Sequence, residues 1–183
     1  MKRLMVNMYR PNSQHIPVVE PPNGFHVRWF QAGDEATWAR IEQQAGEFAT
    51  ETAAMERFSR DFPDVGVLAD RCLFVENARG EAVGTATAMS GTLDGRHMGR
   101  LGWVAVTPAY QGYGLGKWVV SLAMQRIAKS YEEMYLTTQT TSDRAVGIYL
   151  HYGFQPFPYG ADDKEAWALL AKALGREIAL QFG

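Results

Sequence analysis

Strands and helices mix along this sequence in the manner of an α/β protein, and three stretches carry that prediction. At residues 103–106, Trp-Val-Ala-Val reads as a mostly buried strand, ended by Pro108, which can donate no ladder hydrogen bond. A loop carrying Gly112, Gly114 and Gly116 follows. Leu115, Val119, Leu122, Ala123 and Ile127 then recur at helical spacing, which predicts a helix with one apolar face. Upstream, residues 73–106 alternate short apolar runs with turn residues, a β meander. Downstream, a helical stretch at 145–152 passes through Gly153-Phe154 into a short strand.

The 183 residues fit one domain able to bury a substantial core. Hydrophobic residues make up 46% and charged residues 21%, as in globular proteins. The net charge of −2, with both signs interspersed, leaves no basic stripe and argues against nucleic acid as a partner. The single cysteine, Cys72, excludes an intrachain disulfide and lies in an apolar run, where burial is expected rather than nucleophilic chemistry. No apolar run is long enough to span a membrane, and the N-terminus lacks a signal peptide's apolar core. A cytoplasmic protein without a membrane partner is the expectation.

In chain order, Leu4, Val6 and Met8 alternate as in a short strand, and Pro11, Pro17, Pro21 and Pro22 impose an extended strap. Residues 27–30 read as the first core strand, and Gly33-Asp34-Glu35 starts a helix whose apolar face is Trp38, Ile41, Ala45 and Phe48. A second helix is expected over 52–62, with Met55, Phe58 and Phe62 inward. Residues 73–76 form a strand, 77–80 a turn and 82–89 a strand in which Gly84 marks a bulge or a close approach. Asp94-Gly95 is a tight-turn signal leading into the strand that ends at Val106. His15 and His97 read as surface or structural residues. After the glycine loop and its helix comes a strand at 133–138. Ser142-Asp143 then caps a helix with Ala145, Ile148, Tyr149 and Tyr152 on one face. Pro156 interrupts a terminal strand at 154–157. Asp162-Asp163 starts a last helix, with Trp167, Leu170, Ala171 and Leu174 inward and Gly175 as its stop. Residues 178–182 fit strand or helix equally.

The glycine loop joins a strand end to a helix N-terminus, where unpaired amide N–H groups and the helix dipole favour an anion. The Walker A pattern fails, because Gln111 occupies its first glycine position and Trp118 follows Lys117. The dinucleotide pattern Gly-x-Gly-x-x-Gly fails at Lys117. Gln111-x-x-Gly114-x-Gly116 resembles instead the pyrophosphate loop (Arg/Gln-x-x-Gly-x-Gly/Ala) of the GCN5-related N-acetyltransferases. Residues 145–154, a tyrosine helix followed by Gly-Phe, resemble that family's second signature, at the expected distance from the loop. The resemblance covers roughly residues 25–157. It implies a twisted mixed sheet of about six or seven strands with helices on both faces and a V-shaped splay between the central strands. The domain then runs over 26–158, with an N-terminal extension at 1–25 and a C-terminal helical extension at 159–183.

The family's chemistry assigns further expectations. Acyl-CoA, most simply acetyl-CoA, would lie along Val104, Ala105 and Val106 through main-chain groups, as an added strand does. Gln111, Gly112, Tyr113, Gly114, Leu115 and Gly116 would wrap the pyrophosphate, with Lys117 adding a charge and Ser142 touching the pantetheine end. No metal is implied. Tyr149 matches the tyrosine that protonates the departing thiolate. Many relatives carry a carboxylate on the strand before the loop, but residues 101–106 have none. Ordered water, Glu47 or Glu51 would then serve as base. The acceptor is expected to be a primary amine of a small molecule; Trp103, Tyr113, Tyr152 and Phe157 would admit an apolar one. The oligomeric state is open, with a homodimer through a sheet edge or the C-terminal segment as one expectation. A non-catalytic acyl-CoA-binding or regulatory module stands as the alternative reading.

Overall fold

The computed structural model describes residues 1–158 and 160–180. Its strands are β1 (Met5–Arg10), β2 (Phe25–Trp29), β3 (Cys72–Asn77), β4 (Ala82–Leu93), β5 (Arg96–Val106), β6 (Met134–Gln139) and β7 (Gln155–Phe157). Its helices are α1 (Glu35–Gln44), α2 (Glu51–Asp61), α3 (Leu115–Ala128), α4 (Asp143–His151) and α5 (Asp163–Leu174). The strands form one seven-stranded sheet in the order β2-β3-β4-β5-β6-β1-β7. β5 and β6 pair in parallel, with Gly99 opposite Met134. The β1–β6, β1–β7, β2–β3 and β3–β4 pairs are antiparallel, so the sheet is mixed. The chain packs as two compact units: Met1–Pro17 with Ser90–Arg100 and Ile127–Gly183, and Val18–Met89 with Leu101–Arg126.

In the second of these units the core gathers Trp38, Ala39 and Ile41 of α1, Ala54 and Phe58 of α2, and Cys72 and Phe74 of β3. Leu73 and Val75, on the opposite face of β3, are also fully buried, so this strand is covered on both sides. The expected approach at Gly84 is present twice over. The β3–β4 register shifts beside it, and an added Cβ would stand 3.1 Å from the Ala105 carbonyl oxygen. Residues 27–30 depart from the expected core strand. β2 occupies an end of the sheet, none of its residues is fully buried, and Trp29 is exposed. Only Phe30, just beyond it, enters the core. The α3 expectation is also corrected. Trp118, Val120, Ser121 and Met124 are buried as well as Leu115, Val119, Ala123 and Ile127, while Leu122 is only half-buried. This helix is enclosed around most of its circumference.

The other unit holds β1, β6 and β7, with α4 and α5. Val6, Met8 and Arg10 alternate inward along β1, which lies between β6 and β7. The buried Arg10 donates to the Tyr152 carbonyl at 2.8 Å and to the Asn12 and Gln14 carbonyls, holding the start of the proline strap. Burial lowers the pKa of its guanidinium. Asp94 and Gly95 both take positive φ, 49° and 73°, as a two-residue type I′ hairpin turn requires. Pro156 sits in β7, at the other end of the sheet, where a missing N–H is tolerated. Gly175 closes α5 at φ 62°, with Arg176 N–H bonded back to the Ala171 carbonyl. Residues 178–180 are neither strand nor helix, and 181–182 lie outside the described residues.

Candidate active site

β5 carries the first candidate residues. Val104 and Val106 are half-buried and Ala105 is buried, with Thr107 N–H bonded to the Val83 carbonyl at 2.9 Å. One residue earlier, Trp103 has φ 51°, a left-handed backbone inside a strand. A bulky side chain takes that conformation only where its surroundings impose it, and such strain gathers at functional positions. The contacts of its side chain are largely aromatic. The Trp103 ring meets Trp38 edge-on at 5.1 Å and stacks on Phe48 at 5.8 Å, and the Arg57 guanidinium lies 5.1 Å from its centre.

Beyond Val106 a short 3₁₀ turn (Pro108–Tyr110) leads into the glycine loop. Gly112 and Gly114 have φ 89° and 85°, conformations that an L side chain adopts only under strain. A Cβ on Gly112 would meet nothing within 4 Å, and one on Gly114 only Pro22, at 3.9 Å, so the loop backbone is open on these sides. α3 begins at Leu115, and its first-turn N–H groups have no carbonyl within the helix to bind. Donors and helix dipole thus converge at 114–117, which suits a pyrophosphate. The Gln111 side chain is directed differently. Its amide donates to the Val106 carbonyl at 3.1 Å, bracing the loop against the end of β5. Tyr113 and Lys117 are exposed, and the Tyr113 ring leans on Phe25 at 5.8 Å.

Tyr149 lies on the buried face of α4, 6% exposed, with its ring edge against Phe154 at 6.1 Å. The Gly153 turn, φ 82°, folds the chain back so that Phe154 N–H reaches the Tyr149 carbonyl at 3.0 Å. Val146 and Tyr152 share the burial, whereas Ala145 and Ile148 are half-buried. Ser142 occupies the N-cap position of α4 and is half-buried, but its side chain makes no capping bond, contrary to the expected role. Trp103 packs in the α1–α2 core, Tyr113 on Phe25, Tyr152 at the end of α4, and Phe157 against Tyr9.

The junction between α1 and α2 begins at Gly46, φ 90°, where Glu47 N–H bonds the Glu42 carbonyl at 3.0 Å. Thr50 caps α2, accepting from Ala53 N–H at 3.2 Å, and Glu51 lies exposed in its first turn. A buried carboxylate that the sequence reading did not single out is Glu42. It is fully buried, and neither carboxylate oxygen has a hydrogen-bond partner. Burial, reinforced by the Glu47 charge, pushes its carboxyl up to about 8. The signal was present, because Glu42 follows Trp38 by one helical turn and precedes Ala45 by three residues on the apolar stripe. Cys72 is buried as expected, its thiol pushed up to about 11.

No described helix is long and apolar enough to cross a membrane. No curated protein matches the chain by sequence. Solved structures do resemble it. One is a GCN5-related N-acetyltransferase from Sphaerobacter thermophilus, 21% identical, with a TM-score of 0.64 over 84% of this chain and 48% of that one. A GNAT-family acetyltransferase from Colwellia psychrerythraea is 11% identical, with a TM-score of 0.62 over 85% of this chain and 54% of that one. A tandem GNAT protein from the clavulanic acid biosynthesis pathway is 14% identical, with a TM-score of 0.61 over 84% and 50%. The chain therefore spans about half the length of these solved chains, and the likeness at such identities is one of fold. The sequence model described as the acetyltransferase (GNAT) family matches residues 35–154, well over half of the chain. With the fold and the glycine loop in agreement with that match, the chain belongs to the GNAT acetyltransferase family.

Proposed function

We propose that this chain is an N-acetyltransferase that moves an acetyl group from acetyl-CoA to a primary amine of a small molecule. The single observation that carries the reading is the loop at 111–116. Its positive-φ glycines leave the backbone open, and it delivers the N–H groups of the α3 first turn to one place. Leu115 and Gly116 N–H groups would hold the pyrophosphate, while Gln111 keeps the loop anchored to β5. When bound, acetyl-CoA supplies an activated thioester, so the protein's task is to orient it, admit the amine and handle protons. The main chain at 104–106 would align the pantetheine arm. Tyr149 is the proton donor to the departing thiolate. What supports that role is its match to the family signature and a side chain fixed by burial and by the Phe154 ring.

Calorimetric titration with acetyl-CoA and with CoA, wild type beside Gly114→Trp, tests the reading. The expected outcome is binding with a Kd on the order of micromolar, near −8 kcal/mol. The variant should lose it, because a tryptophan at φ 85° strains the loop and covers its open side. A wild type that binds neither compound contradicts the proposal. Binding without thiol release across a panel of amines returns the molecule to a non-catalytic acyl-CoA-binding role.

A further inference from the structure

Tyr113, set between the positive-φ Gly112 and Gly114, is 60% exposed, yet its ring has a built seat. It lies 5.8 Å from the Phe25 ring, tilted by 58°, and 6.5 Å from the Tyr110 ring, tilted by 45°. Phe25 and Tyr110 meet edge-on at 6.1 Å and 89°. Both supporting rings are held in turn. The Tyr110 hydroxyl accepts from the Asn77 side-chain amide at 2.8 Å. Phe25 N–H bonds the Pro22 carbonyl at 3.1 Å, closing a turn through Gly24, φ 82°. The end of the strap, the start of β2, the end of β3 and the glycine loop thus share one aromatic group, and all lie in the same compact unit.

A ring so open to solvent adds little to the core, so burial does not explain its support. Neither neighbour lies parallel to it, and most of its area faces water, so it presents an open π face. Such a face suits a flat partner. A nucleobase stacks on an aromatic side chain through its π face alone, whatever groups its edges carry. The adjoining loop says which base that is. Tyr113 precedes Leu115, the first residue of α3, by two positions, at most about 7 Å of chain. A pyrophosphate held by the first-turn N–H groups of α3 would therefore lie within one sugar's reach of the ring. CoA has pantetheine on one side of its pyrophosphate and adenosine on the other. With the pantetheine arm running back along 104–106, adenosine is the part left to the exposed side of the loop, where Tyr113 stands.

We infer that the Tyr113 ring, braced by Phe25 and Tyr110, is the platform on which the adenine of the acyl donor stacks. The inference rests on the acetyltransferase reading and makes Tyr113 a specificity residue for the donor. Its main chain belongs to the pyrophosphate loop, while its side chain serves the nucleotide rather than an apolar acceptor. A choice of donor follows. A 4′-phosphopantetheine arm on a carrier protein brings a thioester and one phosphate but no adenine, so it gains nothing from the platform. The chain should therefore take its acyl group from nucleotide-bearing thioesters in preference to carrier-bound ones. Stacking asks for a flat face and not for the phenol hydroxyl, so phenylalanine should serve at this position where alanine does not.

The test compares the affinities of CoA and 4′-phosphopantetheine for wild type, Tyr113→Ala and Tyr113→Phe, with thermal melts to establish that the variants fold. Wild type should prefer CoA by about tenfold or more. Tyr113→Ala should lose about tenfold in CoA affinity while its affinity for 4′-phosphopantetheine stays within about twofold. Tyr113→Phe should keep the wild-type preference. Etheno-CoA, whose modified adenine fluoresces, reads the contact itself: at saturation its emission should be quenched by wild type and recover in Tyr113→Ala. Adenosine 3′,5′-bisphosphate has the base without pantetheine and should bind wild type about tenfold or more weakly than CoA. Equal affinity for the two would mark a nucleotide site apart from the donor and overturn the inference. So would an unchanged CoA affinity in Tyr113→Ala, or an equal loss for CoA and 4′-phosphopantetheine, which would mean that the side chain only shapes the loop. Each of these results leaves the acetyltransferase reading in place. A wild type that binds neither CoA nor 4′-phosphopantetheine removes that reading first, and this inference with it.

Discussion

The two ends of α1 hold their carboxylates in opposite ways. At the N-terminal end, Asp34 takes two hydrogen bonds from Arg28, at 2.6 and 2.9 Å, and one from the Gln31 N–H at 2.7 Å. Arg28 also reaches Glu76 at 2.5 Å, which ties β2, β3 and α1 into one network. Burial alone would raise the Asp34 carboxyl, but the hydrogen bonds and charge of Arg28 and the Gln31 N–H outweigh it and hold the pKa below its usual value. Near the C-terminal end, Glu42 is more deeply buried and has no counter-charge, so desolvation wins and its pKa rises to about 8. One helix therefore carries a carboxylate that supports the fold and another that works against it. A group of the second kind costs stability wherever it is charged and unpaired, whereas one of the first kind adds to it.

Removing the supporting carboxylate should have the larger effect. Asp34→Ala leaves Arg28 half-buried with one of its two acidic partners and exposes the start of α1, and should cost about 2–3 kcal/mol in chemical denaturation at pH 7. Because the folded-state pKa of Asp34 is depressed, its contribution is full above the unfolded carboxylate value and fades as the pH falls through the folded one. An Asp34→Ala midpoint equal to wild type would break the contrast between the two ends.

The smaller effect has the opposite sign. Glu42→Met replaces the unpaired carboxyl by an apolar side chain of similar length and should stabilise the protein by about 1–2 kcal/mol near pH 8. The Glu42 folded-state pKa lies above its unfolded value of 4.5, so folded protein binds more protons than unfolded protein between the two. Wild-type stability should therefore fall as the pH rises from about 4.5 to about 8, and Glu42→Met should lack that component. Denaturation midpoints measured across this window check both statements. A destabilised Glu42→Met would mean that the carboxylate has a structural partner after all.

Much of the fold was legible because its signals are local. Asp94-Gly95, Gly84 and Gly175 each announce a backbone demand that nearby residues cannot alter, and each takes the conformation or contact expected. The glycine loop was legible for the same reason. What the sequence could not display depends on distant neighbours: the end position of β2, the enclosure of α3, and the left-handed backbone of Trp103, whose ring packs on Trp38 and Phe48. Glu42 lies between these cases. Its helical spacing placed it inward, but that a buried carboxylate would lack a hydrogen-bond partner emerges only from the packing around α1.

The most direct measurement is the rate of thiol release from acetyl-CoA with an accepted amine, wild type beside Tyr149→Phe, together with the CoA affinity of both. Removal of the proton donor should lower kcat by about 10²-fold or more while CoA affinity stays within about twofold. Equal turnover in Tyr149→Phe would contradict the account by taking Tyr149 out of the chemistry.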